Sequence, residues 1–396
     1  MRVRIVNPRS DDRSSEQYCT LATSHITTIV PSRTAVGHSA SNQYPPRKAR
    51  CSDTSSIAST VFNYRNENGR RYHGLKDGAY FLVRGFTLHP IYLPYIPAVR
   101  ELTYHTHQPN DKREQDRMDL LHVIYRRVLD RRLCCAPIKR NPGRVLDLGT
   151  GTGSWAVEFA DQHQKSQVIG MDISPIQRIH IPPNCTFEID DFEAEWPYAA
   201  TATADTPALK HASSADTPPH SLFDFIHMRE IAGSVHDYPK LFGQAYRHLA
   251  PGGFLEVQGM ETKFFSDDGT HERAVTAMQW QQLLVEASRQ FGKELGVEGS
   301  WKQWMEHAGF VDIEEVVFKV PLGPWPQDPR MKELGRYQAT HVQEMVRSYS
   351  LALFTRVLEW SKDELDVLLW AVGNELRNRR THLYTKLRVV YGRKRE

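Results

Sequence analysis

The stretch Arg144-Val145-Leu146-Asp147-Leu148-Gly149-Thr150-Gly151-Thr152-Gly153 sets a short apolar run, ending in a carboxylate, directly before three glycines at alternate positions. That order reads as a strand, a tight backbone turn and the start of a helix. The glycines leave room for a ligand to lie against the chain where any Cβ would collide. A dinucleotide site carries G-x-G-x-x-G, so that a pyrophosphate can rest on the helix N-terminus. Here Ser154 stands where the third glycine would be, and Asp147 precedes the first.

A carboxylate at Asp147 repels a diphosphate and suits a cofactor whose nearest part is a cationic amino acid, such as S-adenosyl-L-methionine. On this reading Asp147, Gly149, Gly151 and Gly153 bind the cofactor. Gln167 to Asp172 reads as a second strand, and Asp172 falls roughly 20 residues past the last glycine, where an acid can accept hydrogen bonds from both ribose hydroxyls. A third strand, Cys185 to Ile189, runs into Asp190-Asp191-Phe192. One of these two carboxylates is placed to take an adenine amino group, with the aromatic ring covering the base; the sequence does not choose between Asp190 and Asp191. Leu222 to Met228 is a fourth buried strand, Tyr238 to Leu249 a helix, and Pro251-Gly252-Gly253 a turn into a fifth strand, Phe254 to Gln258.

The succession DLGTGTG, IGMDIS, IDDFE, FDFIH and LAPGGFLEV resembles the class I S-adenosylmethionine-dependent methyltransferases. Asn66 to Gly74, Arg113 to Arg117, Ala232 to Val235 and Pro321 to Pro326 further resemble the LaeA-like methyltransferases of filamentous fungi. The resemblance runs over about residues 63 to 394. It implies a Rossmann-like α/β fold, with a seven-stranded, mostly parallel sheet and helices on both faces. It also implies a lid over the cofactor formed by the Tyr72-His73-Gly74 segment and the helix from Gln115 to Leu129, with plain N-terminal packing as the alternative. Trp301 to Ala308 and Val311 to Val320 then read as a helix and strand six. Helices follow at about 328 to 348 and 362 to 378, and Thr381 to Tyr391 reads as strand seven. The implied acceptor is a small metabolite or a protein. An alternative is a cofactor-binding regulatory subunit acting through velvet-type partners, in the nucleus or the cytoplasm.

With 396 residues, 40% of them hydrophobic and 24% charged, the chain is ordinary for a globular protein and long enough for a sizeable core. Its net charge of +3 does not by itself imply nucleic acid, although basic residues crowd the C-terminus from Arg377 to Arg395. The cysteines Cys19, Cys51, Cys134, Cys135 and Cys185 form no C-x-x-C pair, which argues for a reducing compartment and against structural zinc, so no metal is expected. The first thirty residues lack an apolar core of the secretory kind, and Phe86 to Val99 is broken by three prolines, so neither a leader nor a membrane span is expected.

Residues 1 to 62 are rich in Ser, Thr, Arg and Pro and read as a disordered tail. Residues 63 to 135 read as the lid and its helix, and 136 to 396 as the catalytic domain. Ala199 to Ser221 is a low-complexity loop whose length costs little, because closure entropy grows slowly. Val83 to Gln108 matches neither neighbour in composition. Its ends permit donor, branch-point and acceptor codons in frame, which reads as a retained intron; a family-specific loop is the alternative. The transcript is expected to lack these 26 codons in its main form, and a main message that carries them sinks the idea.

Methyl transfer asks mainly for alignment and exclusion of water, with a base where the acceptor must lose a proton. Weak candidates for that role lie at the ends of the fourth and fifth strands: His227, Arg229 and Glu256. Glu230 and His236 are nearby polar residues. Each has a plain structural reading as well, a satisfied core histidine for His227 and an ion pair for Arg229 with Glu230.

Overall fold

The computed structural model describes residues 4–6, 64–72, 109–198 and 222–396. His73 and Gly74, the Val83 to Gln108 segment, the Ala199 to Ser221 loop and all of residues 1 to 62 except 4–6 lie outside the described residues. The chain opens with β1 (Arg4–Val6), then a hairpin of β2 (Arg65–Glu67) and β3 (Arg70–Tyr72), and α1 (Lys112–Val128). The alternating core follows as β4 (Arg144–Leu148), α2 (Ser154–Gln162), β5 (Gln167–Asp172), β6 (Cys185–Ile189), β7 (Phe223–Arg229), α3 (Tyr238–His248) and β8 (Leu249–Met260). The chain ends with α4 (Val275–Phe291), α5 (Trp301–His307), β9 (Val311–Pro321), α6 (Pro329–Ala352), α7 (Lys362–Leu376) and β10 (Tyr384–Arg393).

One sheet carries the strands in the order β1-β9-β10-β8-β7-β4-β5-β6. All neighbours run parallel except β10, which is antiparallel to both β8 and β9. Seven of the strands are those expected. The eighth, β1, falls in the stretch read as a disordered tail and pairs Arg4, Ile5 and Val6 with Val316, Val317 and Phe318. An edge strand offers a free row of backbone N–H and C=O groups, and a three-residue segment is enough to pair with part of it.

β4 shows how sequence becomes layers. Successive strand residues point to opposite faces. Val145 joins Trp155, Phe159, Val168 and Phe225 on one side, whereas Leu146 and Leu148 join Ile226, Met228, Phe242 and Trp301 on the other. A third cluster is helical: Trp280, Leu284 and Phe291 of α4 pack with Val342 and Val346 of α6 and Leu365 and Val372 of α7. The Pro-rich stretch from Pro321 to Pro326 locks this layer on. Trp325 Nε1 donates to Leu383 O at 2.9 Å, and a Cβ on Gly335 of α6 would fall on the carbonyl of Gly323. Among the described residues no helix is long and apolar enough to cross a membrane.

Candidate active site

The turn between β4 and α2 is left-handed at each glycine: φ is +67° at Gly149, +57° at Gly151 and +79° at Gly153. Other residues pay about 1–2 kcal/mol for that conformation. Gly153 is also sterically fixed, since a Cβ there would lie 2.9 Å from Phe187 Cε1 and closer still to Cζ. No side chain caps the first turn of α2, so its backbone N–H groups face the turn without a protein cap. Asp172, at the end of β5, closes the turn from the side. Its Oδ2 accepts from Gly151 N at 2.8 Å and its Oδ1 from Ser174 N at 2.9 Å. Burial pushes the Asp172 carboxyl up to about 6, against those two hydrogen bonds.

Asp147 is not the open carboxylate that its place before the glycines suggests. It is 2% exposed, and both oxygens are engaged within the protein. Oδ1 lies 2.7 Å from His227 Nδ1 on the adjacent strand, and Oδ2 accepts from Thr150 Oγ1 at 2.6 Å. A carboxylate only accepts, so Nδ1 carries the proton of His227. The imidazole is wholly buried and stacked on Trp155, with ring centroids 3.8 Å apart and planes 6° from parallel. His227 therefore supports Asp147 from within the sheet and does not face an acceptor.

The other two catalytic candidates are likewise held inside. Glu256 is fully buried and accepts from Cys135 N at 2.8 Å, Ala136 N at 2.5 Å and Gln258 Nε2 at 2.6 Å, which anchors the segment that leads into β4. Arg229 lies over the Tyr125 ring and donates to His122 Nδ1 at 3.1 Å; His122 Nε2 in turn donates to Glu158 at 2.8 Å. It joins β7 to α1. His236 caps a loop, with Nδ1 2.7 Å from Gly292 O.

Of the two acids after β6, Asp191 is buried and its Oδ1 accepts from Glu193 N at 2.9 Å, whereas Asp190 is half-buried and accepts from Asp191 N at 2.7 Å. Phe192 packs toward the first glycine, with Cε1 3.6 Å from where a Gly149 Cβ would be. Asp147 and Asp172 thus bond the glycine turn directly, and the Asp190-Asp191 segment is joined to it through Asp190 N, which donates to Asp172 O at 3.1 Å, and through the Phe192 ring.

The N-terminal segment is tied over this region. Arg70, 6% exposed, donates to Asp111 through Nε at 2.5 Å and Nη2 at 3.0 Å, and through Nη1 to Ser348 at 3.3 Å. Asn110 reaches Ser174 at 3.4 Å, and Met118 of α1 lies 3.4 Å from a Cβ built on Gly151. Asp119 accepts from Thr152 Oγ1 at 2.8 Å and from Ser154 Oγ at 2.7 Å. The sequence marks the helix from Gln115 to Leu129, as a lid or as N-terminal packing, but not these contacts; an acid and an arginine three apart, Glu114 and Arg117, are the available signal. Both are buried and paired at 2.5 Å, and Arg117 Nη1 donates to His341 Nε2 at 2.8 Å.

Buried titratable groups give the fold a pH dependence of definite sign. Burial holds Glu256 at about 7 and Glu298 at about 8, above the usual 4.5. The folded protein then binds more protons than the unfolded chain up to about pH 8, and stability falls as pH rises through that range. Burial acts oppositely on His122, held at about 3, and on His227 and His341, so stability also falls below about pH 6.5. Above pH 6.5 the carboxyl effect remains, joined toward pH 8.5 by the thiols of Cys134, Cys135 and Cys185, which burial also pushes up and which act in the same direction. Urea midpoints are expected to fall between pH 6.5 and 8.5, and Glu298→Gln is expected to flatten that limb; a midpoint rising over this range contradicts the assignment.

The family model described as a methyltransferase domain matches residues 120–315, which takes in the glycine turn, all three acid positions and β4 to β8. The chain is 35% identical to methyltransferase pytC of Aspergillus terreus over 87% of its own length and 92% of that protein. It is 30% identical to the secondary metabolism regulator LAE1 of Cochliobolus heterostrophus, over 83% of this chain and 94% of the relative. The chain belongs to the LaeA-like methyltransferases. A further member, laeA of Monascus pilosus, is 32% identical over 83% of this chain and 77% of its own. As a methyltransferase of this family the chain keeps the glycine turn and both flanking acids. The side chains read from sequence as candidate bases instead support the scaffold.

Proposed function

We propose that this LaeA-like methyltransferase uses S-adenosyl-L-methionine and serves fungal secondary metabolism, the setting named for LAE1 and laeA. The observation that carries the reading is the turn with three left-handed glycines, braced by Asp172 through Gly151 N. The residues fit the group: a Cβ-free cradle, the half-buried carboxylate of Asp172 at the end of β5, with lone pairs left for ribose hydroxyls, and Asp190-Asp191-Phe192 for the adenine. When bound, S-adenosyl-L-methionine supplies an electrophilic methyl on a sulfonium. Asp172 orients the ribose, Asp147 and His227 fix the turn from beneath, and α1 shields the turn from water. Exclusion of water strengthens each of these polar contacts.

The test is incubation of the protein with methyl-labelled S-adenosyl-L-methionine and a fractionated fungal extract. Label in the small-molecule or the protein fraction identifies the acceptor class. Cofactor binding without transfer to either fraction favours the second reading, a regulatory subunit working through velvet-type partners, for which the relatives named as regulators are the support.

A further inference from the structure

Beyond the C-terminal ends of β7 and β8 lies a set of buried polar groups that neither the cofactor site nor the scaffold uses. Glu298 is 1% exposed, and no other described residue donates a hydrogen bond to either carboxyl oxygen; its own backbone N–H is the nearby donor. Tyr238 Oη and Trp301 Nε1 are buried beside this carboxyl and lie against each other, with no other partner among the described residues. A buried carboxyl left unpaired costs several kcal/mol, so a position that keeps one has a use for it.

The surroundings show where this group sits and what it lacks. Glu261, which follows β8, and Glu230, which follows β7, both push the Glu298 carboxyl up, and the opposing cation is Arg388. Arg388 is already shared by Glu261, at 2.7 Å, and Glu315. Glu230 belongs to the same region and is itself unusual: a half-buried residue with φ +57°, a strained backbone for a non-glycine. Its Oε1 is held by Tyr125 Oη and by Met260 N at 2.8 Å. The next residue, Ile231, lies 3.1 Å from where a Gly149 Cβ would be, so Glu230 stands at the seam between the glycine turn and the acceptor side. In an open α/β sheet this is where ligands bind. Arg117 and Arg229 act on Glu230, whereas the cation that acts on Glu298 is the shared Arg388, and Tyr238, Tyr349 and Trp301 are the aromatic groups of this region.

Resting on the methyltransferase reading above, we propose that Glu298, with Glu230 and the hydroxyl of Tyr238, forms the recognition site for a basic amine on a small methyl acceptor. An ammonium offers donors to both oxygens of Glu298, which a neutral hydroxyl cannot do, and it supplies the missing cation. Binding then converts a neutral carboxylic acid into an ion-paired carboxylate. The groups facing it are Tyr238 from α3, Tyr349 from α6, Glu230 after β7, Glu261 after β8 and Arg388 from β10.

The test uses phenethylamine and 2-phenylethanol, which share a skeleton and differ in the terminal group. Each is titrated calorimetrically into the full chain, with and without S-adenosylhomocysteine, at pH 7 in two buffers of different ionisation enthalpy. The amine is expected to bind at least tenfold tighter than the alcohol and to release up to about one proton. Glu298→Gln is expected to erase the preference and the proton release while leaving S-adenosylhomocysteine affinity unchanged. Glu230→Gln, which keeps the oxygen that Tyr125 and Met260 use, is expected to reduce the preference. Equal binding of the two probes, no binding of the amine, or a preference that survives Glu298→Gln overturns the proposal. Loss of S-adenosylhomocysteine binding to the folded wild-type chain strikes the cofactor reading instead, and the amine arm without it still decides this one.

Discussion

Gly153→Ala is expected to lower stability by about 2–5 kcal/mol and to abolish cofactor binding. The estimate adds a left-handed backbone, about 1–2 kcal/mol for a residue with a Cβ, to overpacking against a filled core, about 1–3 kcal/mol. Both terms apply because φ is +79° and the new methyl meets the Phe187 ring. The ring cannot step aside cheaply, since it also packs against Gly170 on β5. Urea unfolding and titration with S-adenosylhomocysteine check the two halves. A double variant with Phe187→Leu should recover part of the stability, but not the strain in the turn. A single variant as stable as the wild type would show that the turn is not built as described.

His227→Ala carries the second large effect, about 2–4 kcal/mol of stability, because removing the neutral imidazole takes a hydrogen-bond donor from a buried carboxylate and leaves a cavity behind. Asp147 would keep only the Thr150 hydroxyl, and Trp155 would lose the ring stacked on it. Asparagine at the same position can still donate to Asp147 and should recover part of the loss. A catalytic base would behave differently: its removal would end turnover and leave the unfolding curve in place. Denaturant midpoints of the two variants separate these accounts, and an unchanged midpoint for His227→Ala contradicts the supporting role.

Much of the fold was legible because its signals are local. β5, β6 and the start of β9 fall where apolar runs bounded by turn residues place them, and the glycine turn needs only its own ten residues to be read. What escaped was set by distance along the chain. Asp147 reads as a free carboxylate until β7 lies beside β4 and brings His227 to it from 80 residues away. Glu256 reads as a base on a strand end until the segment at Cys135 and Ala136 folds onto it. α4 carries no marked start in the sequence, because no side chain caps its N-terminus, although Ala277, Trp280, Leu284, Ala287 and Phe291 recur at helical spacing. Glu298 gave no sign in sequence, since its meaning lies in partners it does not have.

The glycine turn and Asp172 together make the proposed cofactor site. Calorimetric titration of S-adenosyl-L-methionine into the wild-type chain and into Asp172→Ala tests it most directly. Asp172 braces Gly151 and Ser174 and is the residue proposed to orient the ribose, so its loss should cost about 3 kcal/mol, roughly a hundredfold in affinity, with the fold intact. Saturable wild-type binding weakened to that extent is the predicted result; no binding by a folded wild-type protein, or equal affinity in the two, would contradict it.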